Sequence, residues 1–237
     1  MQRPRVTVID YGIGNLLSVC RAFEHCGAEV LLSASPSEIE KAERLVLPGV
    51  GAFTDGMAGL STGGFIGPIR NYVQTGRPFL GICLGMQMML ETSEEFGVHE
   101  GLGLIPGKVR AIPPTGTNGK PHKIPHTGWD ALFPSTPMMD WKGTILAGIK
   151  PGTAVYFVHS FAAAPSNPAH RLADCDYNGR IISAVVKCGN LYGCQFHPEK
   201  SGEAGLLVIK YFSLQHGSIE SRPEGGKVRF KERYVKP

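Results

Sequence analysis

The sequence of 237 residues lacks the features that would mark a membrane, secreted or metal-binding protein. No apolar run approaches the roughly 18 residues that a membrane-spanning helix needs. Only four of the first ten residues are apolar, so we expect no signal peptide. The six cysteines form no CxxC pair, and the eight histidines form no H-x-x-x-H pair in a predicted helix. We therefore expect reduced thiols, no metal site and a cytoplasmic location.

Charge is also scarce in the body of the chain. The net charge is +4, and residues 217–237 account for +3 of it, with six Lys/Arg against three Asp/Glu. A nearly neutral body has no electrostatic footprint for nucleic acid. We predict one domain over residues 1–216, followed by a basic C-terminal tail, 217–237, of unknown role.

Hydrophobic patterning predicts an α/β fold. Strands alternate with helices in the first half, which is typical of βαβ units and a parallel sheet. The predicted strands there are 5–10, 29–33, 45–47 and 78–83, and the predicted helices are 15–26, 37–42, 67–74 and 84–92. Four strands without intervening helices follow at 154–161, 171–177, 180–187 and 190–196, and a last helix at 201–216. We expect an open, mostly parallel twisted sheet with flanking helices and an antiparallel or mixed extension in the C-terminal half.

The most specific motif is GICLG, residues 81–85, where a predicted strand meets a predicted helix. It is a cysteine version of the strained strand-to-helix turn called a nucleophile elbow. A Cβ on Gly81 or Gly85 would crowd the neighbouring backbone. A helix N-terminus and a nearby imidazolium both favour the thiolate form of a cysteine, which makes Cys83 a candidate nucleophile. A buried structural cysteine between two turn glycines is the alternative.

A second motif, His197-Pro-Glu199, follows the last predicted strand. Residues i and i+2 of a strand point to the same face, so Glu199 can lie behind His197 and fix its tautomer. Combined with a cysteine at another strand end, the pair predicts a Cys-His-Glu triad.

A third motif, the loop Gly49-Val50-Gly51, follows a predicted parallel strand and shares the carboxyl edge of the sheet with the elbow. Its backbone N–H groups, together with that of Leu84, are candidate donors for an oxyanion.

With these motifs the chain resembles the class I (triad) glutamine amidotransferases, and among them the glutaminase subunits of imidazole glycerol phosphate synthase. The resemblance covers about residues 6–216. The segments that carry it are IDYGIGN (9–15), LPGVG (47–51), GICLGMQ (81–87), KIPHTGW (123–129), YFVHS (156–160) and QFHPEKS (195–201).

The resemblance implies that Cys83 attacks the amide carbon of L-glutamine, that His197 protonates the leaving ammonia and that Glu199 orients His197. It implies that glutamine is held by Gln87, Glu95 and Ser160, and that no cofactor is needed. Ammonia would pass to a separate (β/α)8 cyclase subunit, and neither nucleic acid nor a membrane is an expected partner. The residues matching the cyclase face are Asn15, Trp129, Tyr156 and Lys200. Asp130 departs from the pattern, because the family usually has Asn there.

Three alternatives stay open at this point. The chain could be a paralogous glutaminase that supplies ammonia to a sugar amidotransferase of surface-polysaccharide synthesis. It could be a γ-glutamyl hydrolase on the same fold. It could also be a non-catalytic binding module, although such a module has no need of all three triad residues.

Overall fold

The computed structural model describes residues 3–217. The predicted basic tail therefore lies outside the described residues except for Gly217, and the domain boundary at 216 stays a prediction.

The strands are β1 (Arg5–Ile9), β2 (Glu29–Ser33), β3 (Leu45–Gly49), β4 (Phe79–Cys83), β5 (Leu90–Ser93), β6 (His99–Glu100), β7 (Ile105–Ala111), β8 (His126–Ala131), β9 (Phe133–Pro134), β10 (Ala154–His159), β11 (Phe161–Pro165), β12 (Arg171–Tyr177), β13 (Arg180–Cys188) and β14 (Leu191–Cys194). The helices are α1 (Leu16–His25), α2 (Pro36–Lys41), α3 (Phe53–Thr62), α4 (Ile66–Gln74), α5 (Leu84–Met88) and α6 (Gly202–Ser213). No helix in this part of the chain is long and apolar enough to cross a membrane.

An eight-stranded sheet in the order β2-β1-β3-β4-β14-β13-β12-β9 forms the centre of the molecule. The first five strands in this order are parallel, and β13, β12 and β9 continue the sheet in antiparallel pairing. The predicted fold class is therefore confirmed. Asn178 and Gly179, both at positive φ, form the turn of a hairpin between β12 and β13.

Two apolar cores lie on the two faces of this sheet, because successive strand residues point to opposite faces. In β3, Val46 joins the core beneath α1 and α6, whereas Leu45 and Leu47 join the core beneath the other helices. In β4, Leu80 likewise joins the core beneath α1 and α6, and Phe79 joins the core on the other face. These strands are buried on both faces, which explains why they read as continuous apolar runs.

Two smaller sheets complete the molecule and were not anticipated as separate units. One has four strands in the order β11-β7-β5-β6, and the other is the antiparallel ribbon of β8 and β10. The region 101–153, where only short strand candidates are visible in the sequence, supplies β7 and β8.

Two predicted elements are wrong in extent. The predicted helix 84–92 ends at Met88, because the chain then turns into β5 and pairs in parallel with β7. The predicted strand 154–161 is two strands, since β10 pairs with β8 while β11 pairs with β7. Ser160 is the break between them.

Helix α3 is missing from the prediction, because Gly56 and Gly59 give its sequence a low helix propensity. The structure explains both glycines. A Cβ on Gly56 would lie 2.7 Å from the sulfur of Met88, and one on Gly59 would lie 3.0 Å from Tyr11. These glycines let α3 pack closely against helix α5 and against the segment that contains Tyr11. Asn15, the first residue of the predicted helix 15–26, stands at the N-cap position of α1, but its side chain makes no capping hydrogen bond.

Candidate active site

Cys83 is the last residue of β4 and lies at the N-terminus of α5, with φ of 52° and ψ of −108°. A positive φ is uncommon for a residue with a side chain and marks local strain. The predicted elbow is thus present. It places a buried thiol at the carboxyl edge of the parallel strands, where ligands bind in open α/β sheets.

The two elbow glycines have no room for a side chain. A Cβ on Gly85 would lie 1.8 Å from the carbonyl oxygen of Leu47, and one on Gly81 would lie 2.7 Å from the backbone nitrogen of Met86. The turn therefore depends on close backbone contact between β3 and the start of α5.

The predicted His-Glu pair is formed as well. His197 Nδ1 donates to Glu199 Oε1 at 2.8 Å, and both side chains are almost fully buried. This bond leaves the other ring nitrogen, Nε2, for the cavity. Nε2 is buried and has no hydrogen-bond partner among residues 3–217, so it is available to a ligand.

The protonation of His197 follows from its neighbours. Burial acts to lower the pKa of His197, but interactions with Cys83 and with Glu199 outweigh it and raise that pKa to about 9. At neutral pH the imidazole is therefore protonated and able to stabilise a thiolate beside it.

A cavity of about 270 Å³ opens next to the thiol. The predicted site residues that line it are Val50, Gly51, Cys83, Leu84, Gln87, Glu95, Ser160 and His197. Residues that sequence reasoning missed also line it, namely Pro125, Val158, His159 and Phe161. Most of these missed residues surround the break at Ser160, which the continuous strand prediction concealed.

Two predicted residues stand behind the cavity instead of lining it. Glu199 contacts the ring of His197, as expected of a supporting acid. Gly49 lies in β3 directly opposite Cys83 of β4. A Cβ on Gly49 would lie 2.7 Å from the hydroxyl oxygen of Tyr11, which donates to the carbonyl of Pro48. Gly49 therefore has no room for a side chain, whereas at Gly51, at φ of 98°, no atom lies within 4 Å of the position that a Cβ would take.

A chain of amide hydrogen bonds ends at the thiol. Gln87 Nε2 donates to the carbonyl of Phe161 at 2.8 Å and to Gln195 Oε1 at 3.1 Å. The amide nitrogen of Gln195 then donates to Cys83 Sγ at 3.8 Å. Gln195 is fully buried, and its place beside His197 in QFHPEKS was the signal that could have identified it. Since both protons of Gln87 Nε2 are used, Gln87 can offer only its oxygen to a ligand.

A second buried polar group borders the site. His126 Nδ1 lies 3.0 Å from His159 Nε2, and His126 Nε2 lies 2.5 Å from Asp130 Oδ2. His159 Nδ1 in turn donates to the carbonyl of Phe161 at 2.8 Å. Sequence reasoning assigned these two histidines no role.

The residues predicted to face a partner lie in two places on the surface. Trp129 is 56% exposed and its ring is 6.0 Å from that of Tyr156, its neighbour across the β8–β10 ribbon. Lys200 is exposed in the short 3-10 helix Pro198–Lys200, which packs against α1, and Asn15 immediately precedes α1. The ribbon also contacts the His197 segment, because the carbonyl of Tyr156 accepts from the backbone nitrogen of His197 at 3.0 Å.

Comparison with known proteins assigns this arrangement to a family. The family model of glutamine amidotransferase class-I matches residues 7–213, which is most of the chain. The chain belongs to the class-I glutamine amidotransferase family. Imidazole glycerol phosphate synthase subunit HisH 1 of Legionella pneumophila (strain Lens) is 60% identical over 207 residues, covering 87% of this chain and 97% of the relative. Imidazole glycerol phosphate synthase subunit HisH of Syntrophotalea carbinolica is 44% identical over 208 residues, covering 87% of this chain and 98% of that relative.

Two solved structures share the fold of this chain. A glutamine amidotransferase crystal structure superimposes with a TM-score of 0.63 at 16% identity, covering 87% of this chain and 96% of the other. The PurLQS structure from Thermotoga maritima gives 0.61 at 20% identity, covering 89% and 98%. Among residues 3–217 there is no cluster of three or more His, Cys, Asp or Glu side chains that could hold a metal ion.

The close approach at the elbow gives a direct test. Replacing Gly85 with Ala should lower the free energy of unfolding by about 3 kcal/mol, at the upper end of overpacking effects, because its Cβ meets backbone. Gly67→Ala is the matched control, since no atom lies within 4 Å of a Cβ there. We expect the control to leave stability unchanged or raise it by up to about 1 kcal/mol. Urea unfolding of both variants measures the difference, and equal stabilities would contradict the elbow packing.

Proposed function

We propose that the chain is a glutaminase that hydrolyses L-glutamine to glutamate and ammonia through Cys83, His197 and Glu199. The observation that carries this proposal is the cavity beside a strained, buried thiol, faced by an imidazole that a buried carboxylate orients. The arrangement has the three parts that acyl transfer to a thiolate requires, namely a nucleophile, a proton-transfer group and a group that holds the tautomer.

In the first step, the Cys83 thiolate attacks the amide carbon of glutamine, and a tetrahedral oxyanion forms. The backbone N–H of Leu84 and one from the Val50-Gly51 loop are the proposed donors to this oxyanion, since both segments line the cavity. Breaking the C–N bond leaves a γ-glutamyl thioester on Cys83. His197 gives its proton to the departing nitrogen, which leaves as ammonia.

In the second step, water hydrolyses the thioester. His197 is now neutral and takes a proton from the attacking water, and collapse of the second oxyanion releases glutamate and regenerates the thiolate. The bond from Nδ1 to Glu199 keeps Nε2 directed toward the reacting atoms through both steps.

The other cavity residues favour a ligand with an ammonium group. Gln87 offers only an acceptor oxygen, because its amide protons are used by Phe161 and Gln195. Glu95 is buried, and its Oε2 already accepts from the backbone nitrogen of Phe53 at 2.8 Å. Two acceptors in one wall suit the α-ammonium of glutamine, and Ser160 completes the proposed binding site.

We propose that the ammonia passes to a (β/α)8 cyclase subunit of imidazole glycerol phosphate synthase, in histidine biosynthesis in the cytoplasm. The names of the Legionella and Syntrophotalea relatives, together with coverage of almost their whole length, support this client. The cyclase would use ammonia to make imidazole glycerol phosphate and aminoimidazole carboxamide ribotide. We assign Asn15, Trp129, Tyr156 and Lys200 to the contact with it. No observation favours the sugar amidotransferase or the γ-glutamyl hydrolase, and a complete triad argues against a binding module.

The proposed role of Cys83 can be tested by comparing glutamine with ammonium salt as the nitrogen source. Cys83→Ala, in a complex with a candidate cyclase, should abolish glutamine-dependent cyclisation while synthesis from added ammonium salt continues. Glutaminase activity should fall by at least about a thousandfold, because covalent catalysis is lost. Cys26→Ala is the control, since the thiol of Cys26 lies elsewhere, bonded to the carbonyl of Leu206. Near-normal glutamine hydrolysis by Cys83→Ala would exclude the proposed triad.

The two supporting residues should differ in their effects. His197→Ala should be nearly as damaging as loss of the thiol, because triad members act as a unit. Glu199→Gln should retain some activity, since the imidazole remains but is less well oriented.

The pH profile adds a second readout to this comparison. Wild-type kcat/KM should fall as pH rises through about 9, where His197 loses the proton that it gives to ammonia. Glu199→Gln removes a charge that raises this pKa, so the alkaline limb should move to lower pH. Negligible effects of both substitutions, or an unmoved limb, would contradict the assigned roles.

The oxyanion loop is also suited to regulation, since a glutaminase that works without its partner wastes nitrogen. A side chain on Gly49 would meet Tyr11 and the elbow, whereas one on Gly51 would meet no atom within 4 Å, so we place the rotating peptide between Val50 and Gly51. We propose that its N–H points into the oxyanion hole only when the cyclase and its nucleotide ligand are bound. The backbone hydrogen bond from His197 to Tyr156 connects the β8–β10 ribbon directly to the site.

One lost oxyanion donor lowers a rate by roughly 10²–10³. We therefore expect the isolated chain to release ammonia slowly, and the rate to rise by about that factor with cyclase plus ligand. Steady-state ammonia release with and without both components measures this. An isolated chain that already works at the full rate would overturn the gate and leave the triad assignment intact.

A further inference from the structure

The carbonyl oxygen of Phe161 fixes the direction of the hydrogen bonds around it. It accepts from Gln87 Nε2 and from His159 Nδ1, each at 2.8 Å. A carbonyl can only accept, so His159 Nδ1 carries a proton. Burial lowers the pKa of His159 to about 3, so this imidazole is neutral near pH 7 and its Nε2 offers a lone pair.

His126 continues this chain of hydrogen bonds toward the surface. Its Nδ1 lies 3.0 Å from His159 Nε2 and must therefore donate. Its Nε2 lies 2.5 Å from a carboxylate oxygen of Asp130, and a lone pair there would face another lone pair. The three contacts need three protons, but two neutral imidazoles supply only two. A third proton must lie between His126 and Asp130.

Some groups around His126 lower its pKa and others raise it. Its ring is fully buried and stacks on the rings of Phe157 and Tyr177, with centroids 4.8 Å and 4.0 Å away. Burial is the largest effect, and it leaves the pKa of His126 lowered although the bond to Asp130 and its charge act to raise it. The 2.5 Å contact requires a shared proton whether it rests nearer the imidazole or the carboxylate.

We propose that His126 and Asp130 jointly hold one proton at neutral pH, and that this proton locks His159 into the wall of the active-site cavity. Asp130 is one-third exposed on β8 beside Trp129, so it acts from the surface as a positioning residue. Without this proton, neutral His126 has one N–H for two acceptors, His159 Nε2 and the Asp130 carboxylate, so His159 loses its donor whenever that N–H turns to Asp130. The consequence for glutamine binding rests on the proposed function, whereas the shared proton does not.

The other ionisable groups nearby leave the pair as the one that titrates. On β12, burial raises the pKa of Cys175 and that of Tyr177, so both stay neutral near pH 7. A positive charge on His122, in the segment before β8, opposes protonation of His126. A positive charge on His197 likewise lowers the pKa of His159, and His197 keeps that charge up to about pH 9.

The sign of the pH dependence follows. On this proposal the folded pair retains a proton above about pH 6.5, where a histidine of the unfolded chain has lost its own. The stability that the pair contributes is therefore fully present below about pH 6.5 and is lost as pH rises through the pKa of the folded pair.

Two variants of Asp130 distinguish the effect of the shared proton from the effect of the hydrogen bond to His126. In Asp130→Asn the side-chain amide donates to His126 Nε2, so all three contacts are satisfied by neutral imidazoles. In Asp130→Ala the contact is lost. His122→Asn is a control that removes the opposing charge and should strengthen proton binding by the pair.

Nuclear magnetic resonance of the full chain, with labelled histidine nitrogens and aspartate carboxyls, tests the pair directly. At pH 7.5, about one unit above the usual histidine pKa, we expect one proton on His126 or Asp130 beyond a neutral Nδ1–H imidazole and a carboxylate. Both reporters should lose it together as pH rises. Asp130→Asn should show a neutral His126 throughout pH 6–9. A neutral His126 beside an ionised Asp130 at pH 7.5 in the wild type would overturn the proposal.

Thermal unfolding and glutamine kinetics provide independent readouts. Between pH 6.5 and 9 the Tm of the wild type should fall relative to that of Asp130→Asn, and equal slopes would count against a shared proton. At pH 7.5 the KM for glutamine should stay within about twofold in Asp130→Asn and rise roughly tenfold in Asp130→Ala, the effect of one lost buried hydrogen bond. If the wild type hydrolyses no glutamine, the proposed function fails, while the resonance and unfolding measurements still decide the shared proton.

Discussion

The close approach of β3 to the start of α5 is the constraint on which the site depends. The carbonyl of Leu47 occupies the space where Gly85 would have a side chain, and Gly49 is enclosed by Tyr11 and the elbow in the same way. Because these backbones touch, Cys83 is held at positive φ, and the Val50-Gly51 loop lines the same cavity as Cys83. The proposed nucleophile and the proposed oxyanion donors are therefore positioned by one packing contact.

The Phe161 carbonyl is a second organising group, since it sets the direction of two hydrogen-bond chains. Through Gln87 and Gln195 it ensures that an N–H, and not an oxygen, faces the Cys83 sulfur. Through His159 it sets the proton requirement of His126. Both chains are buried, where an unsatisfied polar group is costly, so the alternative orientations are disfavoured.

The break between β10 and β11 joins the site to the surface. A single continuous strand would carry residues 154–161 past the cavity, but the switch from one small sheet to the other brings His159 and Phe161 into its wall. The same ribbon presents Trp129 to the outside and bonds to the backbone of His197. Binding at the ribbon can therefore reach the triad through few intervening groups.

The sequence by itself determined the parallel sheet, the elbow at Cys83, the His197-Glu199 pair and the family, because each depends on short-range spacing or on the alternation of buried residues along a strand. It did not determine the end of α5 at Met88, the break at Ser160 or the existence of α3. Those depend on which distant strand or helix a segment meets, as β5 meets β7 and Gly56 meets Met88. Gln195 and the His126–His159 pair also became visible only in the tertiary structure, since their roles arise from hydrogen bonds between residues far apart in the chain.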